Sequence, residues 1–198
     1  MKRRWLVVGL AVLVSGCGYN TIQRLDEQAS SAQSQIEVQL QRRADLIPNL
    51  VNTVKGYAAH EEEVFNTVAE ARSRLLNSVK SGDPEQMANA DQGMTSALGR
   101  LLAISENYPN LKADENFLRL QDELTGTENR IAVSRSDYND AVKTYNAYIR
   151  QFPAVLTAKV TGAKERKYFQ ATENATQVPT VDFSKPAPAP GAPSTQPK

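Results

Sequence analysis

His60-Glu61-Glu62-Glu63 is the stretch of this 198-residue chain that most resembles a catalytic or metal-binding motif, and His60 is its only histidine. A zincin needs HExxH, two histidines one helical turn apart with a glutamate base, but position 64 is Val. A carboxylate-bridged di-iron bundle needs Glu-x-x-His twice, and the residue three before His60 is Tyr57. G-x-S-x-G and a glycine-rich phosphate loop are absent, and any serine triad would have to take its base from His60. These absences point to a non-catalytic chain with no metal and no cofactor, and read the acidic run as a solvated helical turn. Two polar groups remain. Arg42, Arg43 and Asp45 stand just before Pro48, while Glu128 and Arg130 follow Gly126. Charges at helical seam positions set register through ion pairs. The same five residues are also the candidate interaction patch, able to hold an anionic group on Arg42 and Arg43. A glycine inside a helix costs about 1 kcal/mol relative to alanine, so Gly126 suggests a close helix approach or a ligand. Tyr138, Tyr145 and Tyr148 recur at helical spacing, which favours core over site.

The single cysteine, Cys17, closes the stretch Val14-Ser15-Gly16-Cys17. Ahead of it come Lys2, Arg3 and Arg4 and the apolar run Trp5 to Leu13. A basic start, a short apolar segment and small residues before a cut site form a secretory signal. About 20 apolar residues cross a bilayer core, and this run falls short. An aliphatic residue and two small ones before cysteine resemble a bacterial lipobox. That resemblance implies a diacylglyceryl thioether on Cys17, cleavage after residue 16 and acylation of the new amino terminus. Several acyl chains anchor firmly where one does not. The alternative is an uncleaved signal anchor. Both place the body on the extracytoplasmic side, periplasmic or at the cell surface, because Lys2, Arg3 and Arg4 stay cytoplasmic. Gly18 in place of aspartate would, in a Gram-negative cell, permit outer-membrane sorting.

Loss of residues 1–16 would reduce 23 basic residues to 20 against 22 acidic ones, moving the formal net charge from +1 to −2. A nucleic-acid binder would show a basic stripe, and none is present. With Cys17 acylated, no thiol is left for a disulfide, so the body must stand on a packed core. Residues 184–198 carry five of the ten prolines and read as a disordered spacer.

Between residues 20 and 152 the chain is helical in pattern. Phe117, Leu124, Ile131, Tyr138, Tyr145 and Phe152 recur every seven residues, with Leu120, Ala141, Val142, Tyr148 and Ile149 beside them. Strict sevens wind a helix round its neighbours. Met87, Met94, Leu101 and Tyr108 form a second seam, partnered by Ala90, Ala97 and Ile104. Ile22, Leu25, Ala29, Ala32, Ile36, Leu40 and Arg43 form a third, and Leu50, Tyr57, Val64 and Ala71 a fourth. Ser81-Gly82-Asp83-Pro84 reads as a helix stop, a cap and a proline in the first turn. The expectation is an all-α, elongated, antiparallel up-and-down bundle of four long helical segments at 20–46, 48–80, 84–108 and 111–152. Pro48 is the ambiguous point, since a three-rod version keeps one long, kinked first helix through it. Beyond Pro153 a short helix within 155–172 and an extended segment at 178–183 are expected. The heptads leave self-association open.

These residues bring a family into view. LQRRADLIPNLVNTVKGY (40–57), His60-Glu61, Ala71-Arg72, ALGRLLAISENYPNLK (97–112), NFLRLQDELTGTENRI (116–131), YNDAV (138–142), Tyr145-Asn146, Phe152-Pro153, Tyr168-Phe169 and VPTVDF (178–183) together resemble the LemA family over about residues 19–183. The departure is at the start, where many members carry a longer hydrophobic anchor. The resemblance implies a membrane-attached helical bundle with most of its body outside the cytoplasm. It implies a fold and a location rather than a reaction; the elongated rod shape and polar faces of the expected bundle suit protein partners, expected among envelope proteins.

Overall fold

The computed structural model describes the backbone of residues 2–170 and the side chains of residues 18–170. The Cys17 side chain, the 178–183 segment and the 184–198 tail lie outside the described residues. The elements are α1 (Lys2–Lys55), α2 (Glu62–Ser81), α3 (Pro84–Ile104), a 3-10 turn (Ser105–Asn107), α4 (Pro109–Lys112), α5 (Glu115–Arg150) and α6 (Ala154–Thr161). Among the described residues the protein is all-helical, with no strand.

Pro48 neither ends nor divides the first helix, which runs through it to Lys55. The boundary expected at 46–48 falls instead at residues 56–61. The three-rod alternative holds in that the first helix continues through Pro48, but not in its single rod to residue 80, because α1 and α2 are separate helices. A proline inside a helix has no N–H and leaves the carbonyl four residues back without its donor. That carbonyl is Ala44 O, and Arg72 Nε from α2 donates to it at 2.8 Å. The Pro48 side chain itself is exposed. A neighbouring helix thus supplies the hydrogen bond that proline removed.

The ends follow from local chemistry. Gly82 closes α2 at φ +65°, a left-handed conformation that costs a glycine little. Asp83 then caps α3, its Oδ1 accepting from the Glu85 and Gln86 N–H groups, with Pro84 in the first turn. Asp114 caps α5 by accepting from Phe117 N–H at 2.9 Å. The expected 84–108 and 111–152 segments are trimmed at Tyr108-Pro109, where the 3-10 turn and α4 form the corner. Glu62 and Glu63 sit in the first turn of α2, where negative charge complements the helix dipole. That position accounts for the acidic run after His60.

Packing follows the predicted seams. Ile22, Leu25, Ala29, Ile36, Leu40, Arg43, Ile47, Leu50 and Val54 form the buried stripe of α1, and Phe117, Leu124, Ile131, Tyr138 and Tyr145 that of α5. Two members leave their lines. Tyr57 lies in the exposed turn after α1 and donates its hydroxyl to Asp114 at 2.8 Å. Phe152 is exposed because α5 stops at Arg150. The α1–α5 contacts run in opposite chain order: Tyr57 meets Asp114, Arg43 meets Glu128, and Ile22 and Leu25 share a cluster with Tyr145 and Ile149. The short helix expected within 155–172 is confined to Ala154–Thr161. Residues 163–170 follow without regular secondary structure, as a strap along α5.

If Arg72 stands in for the missing amide of Pro48, Arg72→Met should lower the unfolding free energy by about 1–3 kcal/mol, the cost of a stranded acceptor. In a Pro48→Ala background, residue 48 donates to Ala44 again and the same change should cost less. Urea denaturation followed by circular dichroism measures both. Equal costs in the two backgrounds would uncouple Arg72 from the proline.

Candidate functional site

Arg43 lies on the apolar stripe of α1 and keeps only 4% of its surface. A guanidinium cannot lose its proton, so burial requires counter-charge. Asp91 of α3, itself buried, accepts from Arg43 Nη1 at 2.6 Å. Glu128 of α5 lies within ion-pair distance of the same Nη1, without the alignment of a hydrogen bond. Arg43 Nη2 donates to Thr95 Oγ1 at 3.1 Å, and Thr95 in turn donates to the Asp91 carbonyl. One cation from α1 thus joins α3 and α5. Arg43 Nε has no hydrogen-bond partner among the described residues. A cleft of about 350 Å³ opens beside the group, lined by Arg43, Thr95, Leu98, Gly99, Leu124 and Glu128 among others. Burial pushes the Asp91 carboxyl up from its ordinary value; Arg43 pulls it down, and Glu128 pushes it up again.

The five sequence-predicted patch residues do not form one patch. Arg43 and Glu128 meet at the node. Arg42 and Asp45 are exposed and line a different shallow groove with Glu37, Val38 and Val79. Arg130 is exposed and folds back over Gly126, whose added Cβ would meet its guanidinium at 3.8 Å. Among the described residues no backbone of another helix lies within 4 Å of that Cβ, so the close-approach expectation does not hold there. His60 lies exposed in the turn before α2. Among the described residues no group of three or more His, Cys, Asp and Glu side chains is placed to hold a metal ion.

Sequence reasoning passed over Asp91, although it occupies a core position between Met87 and Met94. It also passed over the strap clamps. Asn139 and Asn146 each follow a tyrosine, seven residues apart on α5. Asn146 Oδ1 accepts from Arg166 N–H and its Nδ2 donates to Arg166 O, both at 2.9 Å. Asn139 repeats the pairing on Phe169, accepting at 2.9 Å and donating at 3.2 Å. The Tyr138 hydroxyl donates to Lys167 O at 2.8 Å. These side chains supply the strap with the partners that a neighbouring strand would give. Arg166 continues to α1, donating to Asp26 at 2.7 Å and Ser30 at 2.6 Å. Lys167 reaches Asp83 at the start of α3, at 3.0 Å. That hydrogen bond lowers the Asp83 carboxyl and raises the Lys167 ammonium. Phe169 seats in the main core with Arg135 over its ring at 5.0 Å.

The arrangement defines a protein that is all-helical among its described residues, with buried Arg43 and Asp91 joining helices and buried Asn146 holding the strap. The LemA family profile matches residues 32–183, and the chain belongs to the LemA family. It is 31% identical over 175 residues to magnetosome protein MamQ 1 of Paramagnetospirillum magneticum, covering 77% of this chain and 64% of that protein. It is 30% identical over 174 residues to magnetosome protein MamQ of Magnetospirillum gryphiswaldense, covering 76% and 64%. To protein LemA of Metamycoplasma hominis it is 25% identical over 169 residues, covering 85% and 76%. The matched region thus spans somewhat under two thirds of the length of the magnetosome relatives.

Arg43→Met should cost about 3–5 kcal/mol, because Asp91 is left buried without its counter-charge. Adding Asp91→Leu should restore most of the loss, and failure to do so would remove Arg43 and Asp91 from a shared role. The sign of the pH effect follows from the raised Asp91. The folded state holds that proton to higher pH than the unfolded chain does, so its contribution declines as pH rises from the ordinary aspartate range through the raised value. Asp91→Asn lacks this decline. Its stability relative to the parent should rise over that window and then level off, as read from chemical denaturation across pH.

The clamps make a separate prediction. Asn139→Ala and Asn146→Ala should each open the strap at a cost of about 1–3 kcal/mol. Hydrogen exchange should speed up at the Arg166 and Phe169 amides while amides at the centre of α1 keep their protection. Uniform loss across the protein would mean that the strap does not open separately.

Proposed function

We propose that this chain is a membrane-anchored, extracytoplasmic helical scaffold that presents its surface to envelope proteins and catalyses no reaction. Residues 1–16 are a lipoprotein-type signal, residues 17–183 the bundle, and residues 184–198 a proline-rich spacer. In this reading the body is an antiparallel up-and-down bundle built from α1, α2, α3 and α5. The opposed order of the α1–α5 contacts and the tight turn at Gly82 support that topology.

One observation carries the reading more than the others: α1 is a single helix from Lys2 to Lys55, so the packed body continues directly from the segment bearing Cys17. Movement of the anchor is therefore transmitted to the bundle without an intervening linker. No helix with described side chains is long and apolar enough to cross a membrane, so the proposed attachment rests on Cys17 and the residues before it. The shared body in magnetosome proteins and in a mycoplasma LemA protein fits a structural module used in different settings.

A second reading, an envelope binding or pH-responsive protein, draws on the cleft beside Arg43 and Glu128 and on Arg43 Nε, without a hydrogen-bond partner among the described residues. It no longer draws on a joint patch with Arg42, Asp45 and Arg130. The two readings differ in what binds. Photo-crosslinking from the exposed faces should return protein partners whose yield survives Leu98→Phe, a change that fills the cleft. Loss of every partner with that change would favour the binding protein.

Anchoring is tested on the native protein. Mass spectrometry of the membrane fraction should find a chain beginning at a lipid-modified Cys17. Cys17→Ser should move the protein to a soluble or unprocessed pool. An intact start at Met1 with unchanged membrane attachment would replace the lipid anchor by the uncleaved one.

A further inference from the structure

We propose that the outward face of α6 is a membrane-docking surface that lies on the bilayer beside the anchor. This rests on the anchoring proposed above and extends it from a tether to a second contact. Leu156 and Val160 stand four residues apart on α6 and are 56% and 88% exposed, Phe152 in the turn just before the helix is 81% exposed, and Ala154 and Ala158 are the buried residues of α6. In water these three side chains gain nothing from their exposure, and apolar residues at helical spacing on one face are what an interfacial helix presents.

Position identifies the occupant. A Cβ built on Gly18 would stand 3.2 Å from Thr157 Oγ1, so the middle of α6 rests on α1 one residue after Cys17. Ala158 belongs to the same cluster as Ile22, Leu25, Tyr145 and Ile149, which fixes α6 at that end of the bundle. If Cys17 is held at the lipid surface, α6 is held there too. Its charge agrees: residues 151–164 contain Lys159 and Lys164 and no acidic residue, and both lysines are exposed. Basic side chains flanking an apolar face favour an anionic lipid surface. Glu165, just beyond, lies 3.6 Å from Arg150. The contact would add orientation, since a bundle with two points on the membrane stands at a set angle where one with a single point swivels.

The test uses the lipidated chain, beginning at Cys17, in vesicles of phosphatidylethanolamine and phosphatidylglycerol; Trp5, the only tryptophan of the sequence, leaves with residues 1–16, so no native indole contributes. Val160→Trp reports on α6. Val133→Trp is the control, at an exposed apolar position on α5 roughly 24 Å along the helix from Ile149. Reconstitution should shift the Val160→Trp emission to the blue, and brominated lipid should quench it while leaving the Val133→Trp emission unchanged. A chain that floats with the vesicles while its Val160→Trp indole stays open to aqueous acrylamide overturns the docking alone. Shielding from acrylamide without quenching by brominated lipid also overturns it, by assigning the face to a second copy or to the chain's own C-terminal residues. A chain that does not float overturns the anchoring and the docking together.

Discussion

A guanidinium can be taken out of water only where opposite charge is waiting for it, and Arg43 meets that condition at one place, between Asp91 of α3 and Glu128 of α5. Apolar burial drives the helices together but has no preferred register, because one leucine seam fits another in several ways. Arg43 removes that freedom. Sliding α1 by one turn, about 5.4 Å, would leave a buried cation and a buried carboxylate each without its partner. The register of three helices therefore hangs on one side chain, which the sequence places in the same stripe as Leu40 and Ile47.

The same logic recurs elsewhere: where backbone or charge would be stranded, a side chain from another element answers it. Pro48 leaves the Ala44 carbonyl open, and Arg72 fills it. The strap has no sheet partner, and Asn139 and Asn146 provide one. Arg166 and Lys167 then tie that strap to α1 and to the start of α3. Each of these links joins an element to a distant one, so the bundle is stitched laterally as well as packed.

The heptads of α5 and the stripe of α1 were legible because periodicity alone decides which face is buried. The cap at Asp83 was legible because glycine, aspartate and proline have narrow local uses. Pro48 stayed open between a break and a kink because the hydrogen bond it removes is replaced by Arg72, far along the chain, and no local pattern states that pairing. Tyr57 and Phe152 kept the sevens after their helices had ended, and a period does not mark its own limits. Of the polar residues, Arg43 and Glu128 were picked out but grouped with Arg42, Asp45 and Arg130, since sequence neighbours on a helix point to different faces. Asp91 was hidden by its apolar company. The repeated Tyr-Asn pair was visible, but its meaning required knowing where residues 166–169 would lie.

The Arg43 guanidinium can be observed directly. Nitrogen-15 NMR of arginine-labelled protein, with the resonance assigned by its disappearance in Arg43→Lys, reports rotation about the Nε–Cζ bond and exchange with water. A side chain held by Asp91, Thr95 and Glu128 should give separate, slowly exchanging Nη signals while the exposed Arg42 and Arg130 stay averaged. An Arg43 signal as averaged and as open to water as theirs would contradict the node on which the arrangement of the helices depends.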